Sequence, residues 1–227
     1  GVAQVVAIGG ELPEYQVNVD QERLRLHGLT ISDVVEAAGG GDGLGPELSH
    51  LLDEGIDAPV HSQADELHAL AQGGTTGDAG IWKTRPNDII EIHADGRREV
   101  RFEPLAPELV PEAMSELFLS YRDVIDQGRV TPLLATSALV FDFACIHPFR
   151  DGNGRVSRLL LLLALYHHGF SVGRYISLER LIEQTKDDYY ETLERSSEGW
   201  HEGKHDIRPW FGYVLSTVRL AYRELEE

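Results

Sequence analysis

Apolar residues in the second half of the chain recur mostly at helical spacing. Met114, Leu117, Phe118, Tyr121 and Ile125 follow one helical stripe. Pro111 suits its first turn and Gly128 is a natural stop. From Pro132 to Cys145 the pattern changes: Leu133, Leu134, Ala138, Leu139, Val140, Phe141 and Phe143 leave no polar face. A helix greasy on all sides predicts a buried central helix. A second such helix is expected from about Arg155 to His168, ended by Gly169. Ser177 can cap another helix, and Tyr189–Glu194 and Trp210–Leu225 supply two more patterns. Ile89 to Phe102 departs from this period. Two runs of β-formers flank Asp95-Gly96, a favoured tight-turn pair, so a β-hairpin is expected there.

The first 64 residues are less patterned. Ile31–Ala38 and Pro46–Glu54 read as short helices, separated by the five glycines of Gly39–Gly45. The expected architecture is all-α: a helical bundle around two buried central helices, with one small hairpin. Residues 1–64 form an N-terminal helical region and residues 65–227 the core domain.

Charge narrows the possible partners. With 38 acidic residues against 20 basic ones, the 227-residue chain carries a formal charge of −18. Such a surface repels nucleic acid and anionic membranes, so direct binding of either is not expected. The greasiest run, Leu159–Tyr166, is far short of the roughly 20 residues that span a bilayer. Cys145 is the sole cysteine and lies in an apolar run, which fits an inert buried thiol and a reducing cytoplasm. No basic-then-apolar leader opens the sequence, so no signal peptide is expected. Oligomeric state is open, and a homo-oligomer is compatible with everything above.

The usable chemistry is concentrated in His147-Pro148-Phe149-Arg150-Asp151-Gly152-Asn153-Gly154-Arg155-Val156-Ser157-Arg158, the join between the two greasy helices. Gly152-Asn153-Gly154 can turn successive amides into an anion nest, and the nest opens into a helix N-terminus. Arg155 and Arg158 share a helical face above it, where two guanidiniums can grip phosphate oxygens. Asp151 offers the single carboxylate that Mg²⁺ needs beside bound phosphates. His147, with an ordinary pKa near 6.5, can take a hydroxyl proton at neutral pH. Phe149 reads as a buried anchor and Pro148 as a stiffener.

This segment resembles the Fic family motif in full: His, Phe two on, an acidic residue, Gly-Asn-Gly-Arg and a final Arg. The resemblance extends over roughly residues 65–227, taking in Gly80–Arg85, Asn87, the hairpin and Tyr189-Tyr190. It implies the Fic fold, an all-α core with a hairpin flap. It also implies transfer of AMP from ATP to the hydroxyl of a protein target, with pyrophosphate released. By the same resemblance His147 is the base and Asp151 holds Mg²⁺. Gly152, Asn153 and Gly154 then cradle the α- and β-phosphates, with Arg155 and Arg158 toward the β/γ end. Ile89, Ile90 and Glu91 would lie on the flap strand that aligns the target backbone. Tyr190 matches a position near adenosine, though an aromatic on a helix serves core packing as well. The Doc branch, which moves the γ-phosphate, has Lys where this chain has Gly154, so the resemblance favours nucleotidyl transfer. Other nucleotidyl or phosphoryl transfer, removal of AMP, and a non-catalytic nucleotide-binding module are the alternatives.

Many Fic proteins carry an inhibitory helix with Ser or Thr, then Glu four residues on. Ser32 and Glu36 match this spacing, although Ala37 stands where Gly or Asn is usual. By resemblance Glu36 would pair with Arg158 and block the γ-phosphate.

Overall fold

The computed structural model describes residues 3–8, 14–19, 60–72, 80–92 and 97–226. The chain divides into two units, residues 1–54 and 55–227. In the first, β1 (Ala3–Ile8) and β2 (Glu14–Val19) pair antiparallel, from Ala3 opposite Val19 to Ile8 opposite Glu14. These strands replace the helical reading at that end of the chain. Valines and isoleucine in six-residue runs favour a pleated ribbon over a helix. Ser32, Glu36 and the two helices expected nearby lie outside the described residues.

The second unit is helical around one hairpin, as the apolar pattern predicts. Its helices are α1 (Val60–Gln72), α2 (Val110–Asp126), α3 (Pro132–Ile146), α4 (Asn153–His167), α5 (Leu178–Gln184), α6 (Lys186–Ser197) and α7 (Arg208–Glu226). Helix α3 is the centre, packed by α2, α4 and α7. Leu139, Val140, Phe141, Phe143 and Cys145 point to several sides of it and are all buried. Each large buried side chain contributes roughly 1.5–3 kcal/mol, so this helix anchors the fold. Trp210 of α7 is buried and donates its indole N–H to the Ser137 carbonyl at 2.8 Å. Ser177 caps α5, as its position suggests, accepting the Arg180 N–H at 3.1 Å. Among the described residues no helix is long and apolar enough to cross a membrane.

Strands β3 (Ile89–Ile92) and β4 (Arg98–Phe102) form the expected hairpin. Asp95 and Gly96, the expected turn pair, lie outside the described residues. Ile92 pairs with Arg98, which leaves five residues between them. A bulge follows, with Ile89 opposite Phe102 but Ile90 opposite Val100. Arg101, at that bulge, pairs with Glu194 of α6. Beyond it Phe102 stacks on His201, which also bonds the Glu103 carbonyl at 2.8 Å. The hairpin is thus fastened where it leaves the helical core.

Candidate active site

Helix α3 stops at Ile146, and His147 follows in a left-handed conformation (φ 52°, ψ 59°). It is the only non-glycine residue with positive φ among the described residues. Such a conformation costs of order 1–3 kcal/mol and persists where its surroundings impose it. Its ring Nδ1 sits 3.1 Å from the Ala144 carbonyl. A carbonyl only accepts, so Nδ1 carries the proton and Nε2 keeps a lone pair. Burial lowers the His147 pKa to about 4, and nearby Lys83 pushes the same way, against the Ala144 carbonyl and Asp151. The side chain is therefore a neutral proton acceptor at physiological pH.

The loop is held from behind by buried polar groups. Asn153 accepts the Phe149 N–H at 2.9 Å and donates to the Phe149 carbonyl at 2.7 Å. With only 2% of Asn153 exposed, its side chain is a loop staple, and only its backbone N–H is left to face a phosphate. That refines the expected role of Asn153. His68 of α1 accepts the Gly80 N–H at Nδ1 (2.9 Å), which fixes Nε2 as the donor to the Asp151 carbonyl (3.0 Å). Its ring stacks on Phe149 at 3.9 Å, and both are buried. Phe149 is the anchor its position suggests.

The front of the loop is open. Gly152 takes the left-handed conformation (φ 81°) as α4 begins, which a side chain would resist. Gly154 is already helical and exposed, and a Cβ there would sit 3.4 Å from an Arg158 nitrogen. So the left-handed turn calls for glycine at Gly152, whereas at Gly154 a Cβ would make only ordinary contact with the flexible end of Arg158. The Asp151 side chain is 79% exposed, 3.9 Å from Arg155. No group of three or more metal-ligating side chains exists among the described residues. A lone exposed carboxylate fits Mg²⁺ that arrives largely coordinated by phosphates and water, and does not fit a resident protein-caged ion.

Arg155 and Arg158 lie on the same end of α4, as expected, but the protein supplies partners for both. Arg155 donates to the Ala71 carbonyl at 2.7 Å, in the last turn of α1, where a cation is favoured. Arg158 donates through Nε to Glu179 of α5 at 3.1 Å. Tyr190 is 57% exposed, so the core-packing alternative for it does not hold; its neighbour Tyr189 is buried in that role. Ile89 and Ile90 of the flap strand are exposed, and among the described residues β3 has no strand on its outer edge. Sequence reasoning missed His68, Lys83 and Glu179. They come from α1, the segment before the flap and α5, and no local spacing marks them.

Two buried helices, joined by a loop bearing a neutral imidazole, an exposed carboxylate and two guanidiniums, with a hairpin braced beside them, define a helical domain of the Fic fold. A Fic family protein from Desulfovibrio desulfuricans shares that fold, with a TM-score of 0.57 and 22% identity over 90% of this chain and 61% of that one. The family model for Fic/DOC matches residues 60–165. A Fido domain-containing protein of Dictyostelium discoideum is 30% identical over 119 residues, 52% of this chain and 78% of that protein. The chain belongs to the Fic/DOC family. A protein adenylyltransferase of Caenorhabditis elegans is 30% identical over 114 residues, half of this chain and 20% of its own length. This chain thus spans only a minor part of that relative.

Proposed function

We propose that this protein is an adenylyltransferase that moves AMP from ATP to a Ser, Thr or Tyr hydroxyl of a protein target and releases pyrophosphate. The observation that carries the reading is the state of His147: neutral, with Nδ1–H committed to Ala144 and Nε2 left as the acceptor, in the loop that leads into the N-terminus of α4. A nucleotide binder needs the amides and arginines but not a tuned base. The similarity to proteins named adenylyltransferases supports the same reaction.

His147 Nε2 takes the hydroxyl proton of the target. The freed oxygen attacks the α-phosphorus as the bond to the bridging oxygen of pyrophosphate breaks. Backbone amides from Gly152 to Gly154 and the helix terminus stabilise charge on the phosphates. Asp151 would hold Mg²⁺, which would neutralise phosphate charge. Arg155 and Arg158 turn from their protein partners to the β/γ end, and Tyr190 stacks on the adenine. A target segment adds to the open edge of β3 at Ile89, Ile90 and Glu91. Glu36, four residues after Ser32, is the proposed brake. A reducing, cytoplasmic setting fits buried Cys145.

The test is incubation with α-labelled and γ-labelled ATP and Mg²⁺. Label from the α-position on protein, lost in His147→Ala, is the expected result. Label from the γ-position, or ATP binding without transfer to any protein tried, sinks the reading.

A further inference from the structure

The segment just before the flap holds a group that the reading above leaves unused. Lys83 is 5% exposed, an ammonium almost out of solvent. Its Nζ donates to the Ile146 carbonyl at 3.1 Å and to Asn87 Oδ1 at 2.9 Å. The Asn87 amide in turn donates to the Phe149 carbonyl at 2.8 Å. The Lys83 backbone N–H donates to the Pro148 carbonyl at 2.7 Å. Carbonyls on both sides of His147 are therefore held by one short stretch of chain. The same stretch leads into β3 at Ile89, two residues past Asn87.

A buried ammonium is an expensive way to fill space, since leaving water costs more than an apolar side chain of equal volume would. Burial pulls the Lys83 pKa down to about 8 despite the opposing charge of Asp88. What the cation adds is a donor with a fork of N–H groups and a positive charge beside the His147 ring. His147 in turn holds a backbone conformation that a side-chain-bearing residue keeps only under restraint.

We propose that Lys83 and Asn87 are positioning residues, a buried ammonium–amide brace that holds His147 in its left-handed conformation and ties the root of the flap to the same loop. Proton acceptor and target-docking edge are then set as one unit. The inference rests on His147 being the base.

The experiment compares the full chain with Lys83→Met, Lys83→Arg and His147→Ala. Transfer of α-labelled AMP to the protein itself is measured at saturating ATP and Mg²⁺, ATP affinity by calorimetry, and the His147 ring by its NMR resonance. A base displaced by about an ångström loses roughly 10- to 100-fold in kcat. That loss is expected for Lys83→Met, with ATP KM and Kd within about twofold of wild type and with Lys83→Arg recovering most of the rate. The His147 resonance should move in the Met variant and return in the Arg variant. A Met variant as fast as wild type overturns the proposal, as does one whose ATP binding falls in step with its rate. Should Lys83→Met fail to fold, Asn87→Ala carries the same comparison. If wild type shows no His147-dependent transfer, the reading of the base has failed. The resonance then decides the brace separately: an unmoved His147 signal in both Lys83→Met and Asn87→Ala overturns it.

Discussion

Arg158 and Glu179 are joined, guanidinium Nε to carboxylate, at 3.1 Å. The guanidinium proposed for the β/γ end of ATP is thus engaged by a carboxylate from α5. With Glu179 more than half exposed, such a pair contributes roughly 0.2–1 kcal/mol. Glu179→Gln should therefore raise ATP affinity by about 1.4- to fivefold in calorimetry, most clearly at low salt. Glu36→Gly should add a separate gain in self-modification if Glu36 is the brake. Unchanged affinity in Glu179→Gln would mean that Arg158 does not reach the nucleotide.

Acid should spare the reaction further than a free imidazole allows. With its pKa at about 4 instead of 6.5, His147 stays unprotonated well below neutrality. With Mg²⁺ saturating the nucleotide, kcat/KM should stay flat from pH 7 to about 5 and fall toward pH 4. An acid limb near 6.5 would contradict the buried state of the ring. Stability shifts the same way. Between pH 6.5 and 4 the unfolded chain binds a proton that native His147 refuses, so this contribution is intact above 6.5 and is lost as pH falls through that window.

Neighbouring tyrosines should behave oppositely. Tyr190 is exposed, and base stacking contributes about 1–3 kcal/mol, so Tyr190→Ala should weaken ATP binding about tenfold with little change in Tm. Tyr189 is buried against Trp210 and Tyr213. Tyr189→Ala should cost about 3–5 kcal/mol in urea denaturation. If Tyr190→Ala binds ATP as wild type does, the adenine lies elsewhere.

Asn153 and His68 should separate loop integrity from phosphate contact. Asn153→Ala leaves the buried Phe149 N–H without its partner and should cost about 1–3 kcal/mol in stability, with activity lost alongside. His68→Phe keeps an aromatic against Phe149 but drops the bond to the Asp151 carbonyl. It should stay folded while requiring several-fold more Mg²⁺ for half-maximal transfer. An unaltered Mg²⁺ requirement would argue against Asp151 as the metal ligand.

The helical core and the front of the loop were legible because their signals are local. All-round apolarity marked α3, and twelve contiguous residues carried His147, Asp151 and both arginines. The back of the loop was not legible. His68 meets Asp151 across 83 positions and Lys83 meets Ile146 across 63, and a lone His or Lys gives no periodicity to read. Asn153 misled for a related reason. Between two glycines it looks like part of a phosphate cradle, yet burial turns its amide inward to the Phe149 backbone. The arginines' resting partners, Ala71 and Glu179, were hidden in the same way, since only the folded chain brings them near. The hairpin was found by composition, but its register depends on the bulge at Arg101, which turn propensity does not encode.

Both feet of the hairpin are pinned, one by Asn87 on the Phe149 carbonyl and the other by Phe102 and Glu103 on His201. The entropy of shaping the strand proposed to receive the target is therefore spent during folding, before any encounter. In the proposed docking at β3, what remains falls on the incoming polypeptide, which must already be extended or must unwind to become so. Main-chain pairing is blind to sequence, so accessibility of a hydroxyl within a loop, a tail or an edge would matter more than the residues flanking it. A serine in the middle of a stable helix would be a poor acceptor, however close its sequence to a good one.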